Sequence, residues 1–388
     1  MQDTLTGKKI NFIGRRRIIV ESEILPRGSS CRCYYCTVKY SDGTSETKML
    51  KEFAPLNYNL PVSQTGGLRN IDSANNSFEL LFKSHFKKMK QVRSLLLDIS
   101  NKENSLKRYF VIPPDGEMNK KSVNTIISYN KQQGKYCYLS LLDFDSTAAI
   151  NNIGSFPINE RIEALIKLSK IINIFHKKHL ILADIKPDNF IYDTDGIGFC
   201  IKLFDFDSVI DLNQKIIADD ITCSLPWAPY ELFRGKTDRI GPQSDLYSLG
   251  AMLLYFVMFT YFQNEGEKNF VYFLHSKHDP LNSEYLKILQ QYDKKVTVGF
   301  WNKFKEIVYT VTNNRNPNAR YDRSFGNPLD YFIVQLTILK EIYESRGAHP
   351  QIMIDNAVRL INEPGSNLFD VHNFNPFLFA DINITEPD

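Results

Sequence analysis

Between Arg17 and Phe53 the apolar positions come in short bursts of strand length: Ile18, Ile19 and Val20, then Tyr34 to Tyr40, then Met49-Leu50-Lys51 after a turn at Ser41-Asp42-Gly43-Thr44. Three antiparallel strands are the simplest arrangement. A stretch rich in Gly, Asn and Ser runs from Ser63 to Ser77, and Phe78 to Ile99 then reads as a helix with strongly basic turns. Two further apolar runs, Arg108 to Ile112 and Tyr136 to Leu142, are expected to complete a small sheet. Beyond Asp145 the period changes. Leu165, Leu168, Ile172 and Phe175 recur at helical spacing within Asn159 to Lys178, which gives a helix with one buried face. Ser244 to Phe259 is apolar nearly all round and is expected to cross the middle of a core. Phe300 to Thr312 and Leu329 to Arg346 add two more helices, the last ended by Gly347 with Pro350 beyond.

Composition narrows the class. A chain of 388 residues suits two domains or one large bilobal one, and 27 Phe with 20 Tyr exclude wholesale disorder. The net charge of +3 is near balance. The basic runs Arg15-Arg16-Arg17 and Lys87-Lys88 lack the interleaved aromatic residues of a stacking platform, so they read as solvated faces and nucleic acid is not expected as a partner. The N-terminal MQDTLTGKK has no apolar signal core, and the longest apolar run, Leu249 to Phe259, is far short of the roughly 20 residues a membrane span needs. No bilayer crossing and a reducing, cytoplasmic setting are expected. Cys31, Cys33 and Cys36 lack a fourth metal ligand of matching spacing, and on a strand Cys31 and Cys36 point to opposite faces. His176 and His179 are read as cations at a helix end rather than as a metal pair.

The chemistry is concentrated in His179-Leu-Ile-Leu-Ala-Asp-Ile-Lys-Pro-Asp-Asn-Phe190 and in Lys202-Leu-Phe-Asp-Phe-Asp-Ser208. Moving a phosphoryl group needs a carboxylate to orient the acceptor hydroxyl, a cation near the transferred oxygens, and oxygen ligands for Mg²⁺. Asp184, Lys186, Asn189 and Asp205 supply that set. The segment Asp184-Ile-Lys186-Pro-Asp-Asn189 resembles the catalytic loop of the eukaryotic-type (Hanks-type) Ser/Thr protein kinase family, and Asp205-Phe206-Asp207 resembles its metal-binding tripeptide. The resemblance implies that Asp184 is the catalytic base, that Lys186 stabilises the γ-phosphate, and that Asn189 and Asp205 hold the metal. Downstream, Ser224-Leu-Pro-Trp227-Ala-Pro-Tyr-Glu231 resembles the end of the activation segment, and Arg320 falls where the partner of Glu231 is expected. Ser244-Asp245-Leu-Tyr-Ser-Leu-Gly250 resembles the start of the central helix, whose Asp supports the catalytic loop backbone.

For the nucleotide, the same resemblance implies a phosphate-covering loop at Leu25-Pro26-Arg27-Gly28-Ser29-Ser30-Cys31-Arg32-Cys33-Tyr34, where only the middle glycine of the family's loop is kept, as Gly28. Gly28 and Cys33 from this stretch join the nucleotide-binding set. Pro26 offers no N–H and Cys31 carries a side chain, so the backbone is expected to cover phosphates less closely. Lys51 resembles the lysine that pairs the α- and β-phosphates, and Glu79, the one Glu between Phe53 and Lys102, is expected as its helical partner. Leu142, Asp143 and Phe144 occupy the expected link that meets the adenine. Two departures concern control. Leu182-Ala183 replaces the family's His-Arg, so no cation awaits a phosphorylated loop, and Asp207 stands where a Gly is usual, either stiffening the backbone or adding a carboxylate near the metal.

The expectation is a two-lobed α+β, protein-kinase-like fold: a small antiparallel-sheet lobe over 10–143, a larger mainly helical lobe over 144–346, and a tail over 347–388. ATP and Mg²⁺ are the expected cofactors, in the cleft between the lobes, and a protein Ser/Thr hydroxyl the expected substrate. A small-molecule kinase of the same fold and a catalytically weak pseudokinase scaffold are the rival classes.

Overall fold

The computed structural model describes residues 4–345 apart from 13–16, 25–29, 56, 57, 59, 63–67, 72–75, 131, 146–149, 195–198, 217, 219, 220, 266–269, 271, 272, 275–280 and 315, and for 143–145, 150–152, 193, 194, 264 and 265 it describes the backbone alone. Gly28 and the 347–388 segment therefore lie outside the described residues. The chain divides into two units, Met1–Ala149 with Lys202–Asp207, and Ile150–Ile201 with Ser208–Asp388. Lys202–Asp207, which the sequence placed with the second region, thus belongs with the first. The Val111 N–H donates to Leu203 O at 2.8 Å, and two lysine–aspartate pairs described below tie it there.

The first unit is built on an antiparallel sheet. Its strands are β1 (Lys9–Asn11), β2 (Arg17–Glu23), β3 (Cys31–Lys39), β4 (Ser45–Phe53), β5 (Arg69–Asn70), β6 (Lys120–Lys121), β7 (Thr125–Asn130) and β8 (Lys135–Asp145), in the order β1-β2-β3-β4-β8-β7-β6 with β5 against β8. The tight turn between β3 and β4 uses Gly43 at φ 85°, a conformation glycine adopts without a Cβ clash. Directly paired residues share a face, so Cys33, Lys51 and Ser140 lie side by side across β3, β4 and β8. Helix α1 (Asn76–Lys102) packs Phe78 and Phe82 against Cys31, Phe53, Tyr136 and Tyr138 on that face. The opposite face buries Tyr34, Cys36, Leu50, Leu139 and Leu141 against Leu5, Ile10 and Phe12. Cys31 and Cys36 accordingly enter different cores. On the second face Glu52, next to Lys51 in sequence, is held by Arg69 through Nε–Oε1 at 2.6 Å and Nη2–Oε2 at 2.7 Å, and it also accepts from the Tyr34 hydroxyl at 2.8 Å.

Two sequence expectations change here. Arg108 to Ile112 is not a sheet strand: Asn104–Tyr109 forms a 3-10 turn, and Phe110 makes an isolated parallel bridge to Leu203. Pro113 and Pro114 follow at once, and neither can donate to a ladder. The sheet is instead extended by β7, whose Ile126 and Ile127 are too short an apolar run to stand out in the sequence.

The second unit is mainly helical. Its principal helices are α2 (Ile158–His176), α3 (Tyr230–Phe233), α4 (Pro242–Val257), and the later Ser283–Tyr292, Val298–Val311 and Pro328–Ser345. α4 is buried nearly all round, as its sequence implies. Gly250 permits the close approach of Val298–Val311: a Cβ there would lie 2.2 Å from Val311 Cγ2. Between α2 and α3, β9 (Leu180–Ile181) pairs with β12 (Ile210–Asp211), and β10 (Phe190–Thr194) pairs with β11 (Phe199–Leu203), which leads the chain back to the first unit. Among the described residues no helix is long and apolar enough to cross a membrane.

Candidate active site

In the first unit the chemistry gathers around Lys51, held by β4 with its side chain only 10% exposed. Its ammonium lies 2.9 Å from Asp205 Oδ1 and 2.9 Å from Asp207 Oδ1. Burial works against the charge on Lys51, but the two carboxylates outweigh it and keep the pKa well above the usual lysine value. Burial raises the Asp205 carboxyl; Asp207 meets the same burial, yet Lys51 and then His85 bring it below the ordinary range. The pocket around this pair is lined by Cys31, Phe53, His85, Met89, Tyr138 and Leu142, among others. His85 stacks on Phe53 with ring centroids 4.2 Å apart, and burial depresses it to about 4, so the ring is neutral at physiological pH. Burial, and then Asp207, push the Cys31 thiol up, so it stays protonated. Asp205 is 29% exposed, and its Oδ2 accepts no hydrogen bond among the described residues. A carboxylate oxygen open in this way fits a hard divalent cation such as Mg²⁺.

In the second unit Asp184 follows β9 on the loop that turns into β10. Its Oδ2 is taken by Lys186 Nζ at 2.8 Å and by Asn189 Nδ2 at 3.1 Å, while its Oδ1 is buried with no hydrogen-bond partner among the described residues. Asn189 also donates to the Asp184 carbonyl at 2.6 Å, which leaves its own Oδ1 without a bonded donor among the described residues. Lys186 Nζ donates further to Ser224 Oγ at 2.6 Å. Behind this group sits Asp245 of α4, fully buried. Its Oδ2 accepts from the Leu182 N–H at 2.8 Å, its Oδ1 accepts from the Ala183 N–H at 2.9 Å, and His176 Nε2 lies 2.8 Å from Oδ2. His176, the last residue of α2, therefore serves as a bonding partner inside the core. Ala183 has φ 64°, in the left-handed region that a residue with a Cβ enters at a cost. Glu231, at the start of α3, meets Arg320 through Oε2–Nη2 at 3.0 Å, both side chains being at most 1% exposed.

A family model described as the protein kinase domain matches residues 117–321, more than half of the chain. The chain belongs to the protein kinase family. Among solved structures the kinase is similar to a double-mutant form of the PknI kinase domain from Mycobacterium tuberculosis, at 12% identity and a TM-score of 0.44, over 90% of this chain and 100% of that one. A search of curated proteins returns no match.

The family match takes in Asp184, Lys186, Asn189, Asp205, Leu142, Asp143 and Phe144, and begins after Lys51, Cys33, Gly28 and Glu79. Within the kinase's first unit Cys33 lies beside Lys51, and Leu142 lines the same pocket. Asp143 and Phe144 continue β8, where the structure describes their backbone alone. The expected Lys51–Glu79 pair does not form. Glu79 pairs with Lys83 at 2.7 Å, one turn along α1, because the stripe of α1 turned to the sheet is Phe78, Phe82 and His85, and Glu79 is rotated off it by its place in the 3.6-residue turn. His85 and the lysine-binding role of Asp207 escaped the sequence. The available signal was His85 itself, a polar residue in register with a buried apolar stripe.

Proposed function

We propose that the kinase transfers the γ-phosphoryl of ATP to a Ser or Thr hydroxyl of a protein substrate, with Mg²⁺ as companion ion. The observation that carries the proposal is the buried Asp184 Oδ1, which has no hydrogen-bond partner among the described residues while Lys186 and Asn189 fix the carboxylate through its other oxygen. An oriented, unused acceptor suits a hydroxyl donor. Asp184 orients that hydroxyl and takes its proton as the oxygen bonds to the γ-phosphorus and the bond from γ-phosphorus to the bridging oxygen breaks, releasing ADP. Lys186 places positive charge beside the transferred oxygens, and Lys51 serves the α- and β-phosphates. Asp205 and Asn189 are the residues that would hold Mg²⁺, and the ion would offset phosphate charge.

The Lys186–Ser224 bond and the Glu231–Arg320 pair support a protein acceptor, because they fix the segment that resembles the substrate-contacting end of the activation loop. Six cysteines without disulfides support the cytoplasm as the place of action. A catalytically weak scaffold is favoured by one observation, the presence of Pro26 and Cys31 where glycines would let the backbone cover phosphates.

Labelled ATP, Mg²⁺ and generic protein substrates separate these readings. Wild type is expected to yield phosphoserine or phosphothreonine, and Asp184→Asn to lose about 10²–10⁴-fold in turnover while keeping the thermal shift given by ATP with Mg²⁺. Undiminished turnover in the variant overturns the assignment, and a silent wild type favours the scaffold.

A further inference from the structure

Lys51 takes both of its carboxylate partners from the metal-binding tripeptide, Asp205 and Asp207. Helix α1 brings His85 and Met89 to the same pocket, neither of them acidic, and its Lys88 donates to the Asp207 carbonyl oxygen at 2.8 Å. The helix is thus tied to the tripeptide rather than to the lysine. Asp207 is held from several sides: Lys51 Nζ on its carboxylate, the Cys31 sulfur within 4.8 Å of a carboxylate oxygen, and its own N–H donating to Asp205 Oδ1 at 3.1 Å. Cys31, His85 and Asp207 bring a sulfur, a ring nitrogen and a carboxylate oxygen within 4.8 Å of one another. A metal ion at those three would share its carboxylate with the Lys51 ammonium, 2.9 Å from Asp207 Oδ1, and meet its like charge, so the group is better suited to seating a counter-ion for the lysine.

Two demands fall on the acids near Lys51. One must give oxygens to Mg²⁺, and one must keep the lysine aimed at phosphate. Asp205, more exposed and with Oδ2 unused among the described residues, suits the first; Asp207, with its side chain 6% exposed, suits the second. We propose that Asp207 is the positioning residue of Lys51, taking the part expected of a helical glutamate, so that the orientation of the lysine is set within the tripeptide and does not depend on an acid of α1. The proposal rests on the phosphotransfer reading above. It also explains why a carboxylate stands where a Gly is usual. The acid missing from the sheet-facing side of the helix is supplied from the loop that follows β11, and the helix in exchange presents a cation to that loop.

The test uses the full-length chain with Asp207→Asn, Asp207→Glu and Glu79→Gln, measuring kcat, KM for ATP, and the thermal shift produced by ATP with Mg²⁺. Asp207→Asn is expected to lose about tenfold or more in kcat/KM for ATP, Asp207→Glu to recover most of that loss, and Glu79→Gln to stay within about twofold of wild type. Recovery by Glu is a readout that mere packing at 207 would not produce, since the longer side chain fits less well. Wild-type kcat/KM in Asp207→Asn, or a loss in Glu79→Gln that matches it, overturns the proposal. If Asp207→Asn melts early without ligand, the other two variants decide: Glu79→Gln intact with Asp207→Glu active supports the anchor, and the reverse overturns it. If wild type transfers nothing, the phosphotransfer reading fails separately, and the ATP thermal shift of the three variants judges the anchor by the same ranking.

Discussion

Replacing Asp245 by Asn tests how the catalytic loop is held. The carboxylate is fully buried and serves three groups, the N–H of Leu182, the N–H of Ala183 and the ring of His176. The Asn side chain keeps the shape and offers one oxygen in place of two. If that oxygen stays with Ala183, the Leu182 N–H at 2.8 Å faces an amide NH₂, and a buried donor without an acceptor costs about 1–3 kcal/mol. The surviving bonds lose their charge assistance, falling from about 1.5–3 to about 0.5–1.5 kcal/mol each. Together the penalty is about 3–6 kcal/mol, and at about 2–4 °C per kcal/mol for a unit of this size the expected fall in Tm is about 6–24 °C. Ala183 at φ 64° then keeps only an uncharged, weaker bond and its neighbour Leu182 loses its acceptor, so the backbone leading into Asp184 relaxes and kcat falls along with stability. Thermal unfolding of wild type and Asp245→Asn at one pH, followed by initial rates well below both midpoints, measures both effects. A Tm within about 2 °C of wild type refutes the argument that the carboxylate carries the loop.

Asp205→Ala should abolish the extra thermal stabilisation that Mg²⁺ adds to ATP, because it removes the open carboxylate oxygen beside Lys51; an unchanged shift places the metal elsewhere. Phosphatase treatment, checked by mass spectrometry on the segment holding Ser208, Thr222 and Ser224, should leave initial rates unaltered, since Ala183 is buried and offers no cation to a loop phosphate; a tenfold fall, about 1.4 kcal/mol in the barrier, contradicts this. Asp330 gives a pH signature. Burial raises its carboxyl from 3.8 to about 6, against the opposing effects of Lys177, the Asn173 bond and His176, so the folded state holds this proton more tightly than the unfolded chain. Its contribution to stability therefore declines as pH rises from near 4 to near 6, and the Tm of Asp330→Asn relative to wild type should become more favourable between pH 4.5 and pH 7.5. A difference that stays flat or reverses sign across that range counts against the raised pKa.

The cluster around Asp184 was legible because its members are contiguous. Asp184, Lys186 and Asn189 lie within six positions, so local chain geometry alone brings their side chains together, and the motif order pointed to Asp245, Glu231 and Arg320 as their supports. The partner of Lys51 was not legible for the opposite reason. Asp207 is 156 positions away, and no local pattern reports a contact of that span. Searching the neighbouring helix for an acid returned Glu79 by elimination, although the buried stripe Phe78, Phe82 and His85 already placed the sheet-facing side one position away from it. Arg108 to Ile112 has the composition of a strand, but Pro113 and Pro114 deny it a ladder, and the sheet took the more polar Thr125–Asn130 instead.

Lys51 and Glu52 are neighbours of opposite charge in β4, and alternate residues of a strand face opposite sides. A slip of one position during folding would exchange them, turning a carboxylate toward Asp205 and Asp207 in place of the ammonium, an error that hydrophobic burial alone would punish weakly in a strand whose faces are both covered. The two-pronged grip of Arg69 on Glu52 works as an alignment key against that error. In the slipped chain both ions of the pair would be stranded in an apolar core, and breaking a buried pair costs about 3–5 kcal/mol. A pair buried on one face of the sheet thus guards which charge β4 turns toward Asp205 and Asp207 on the other.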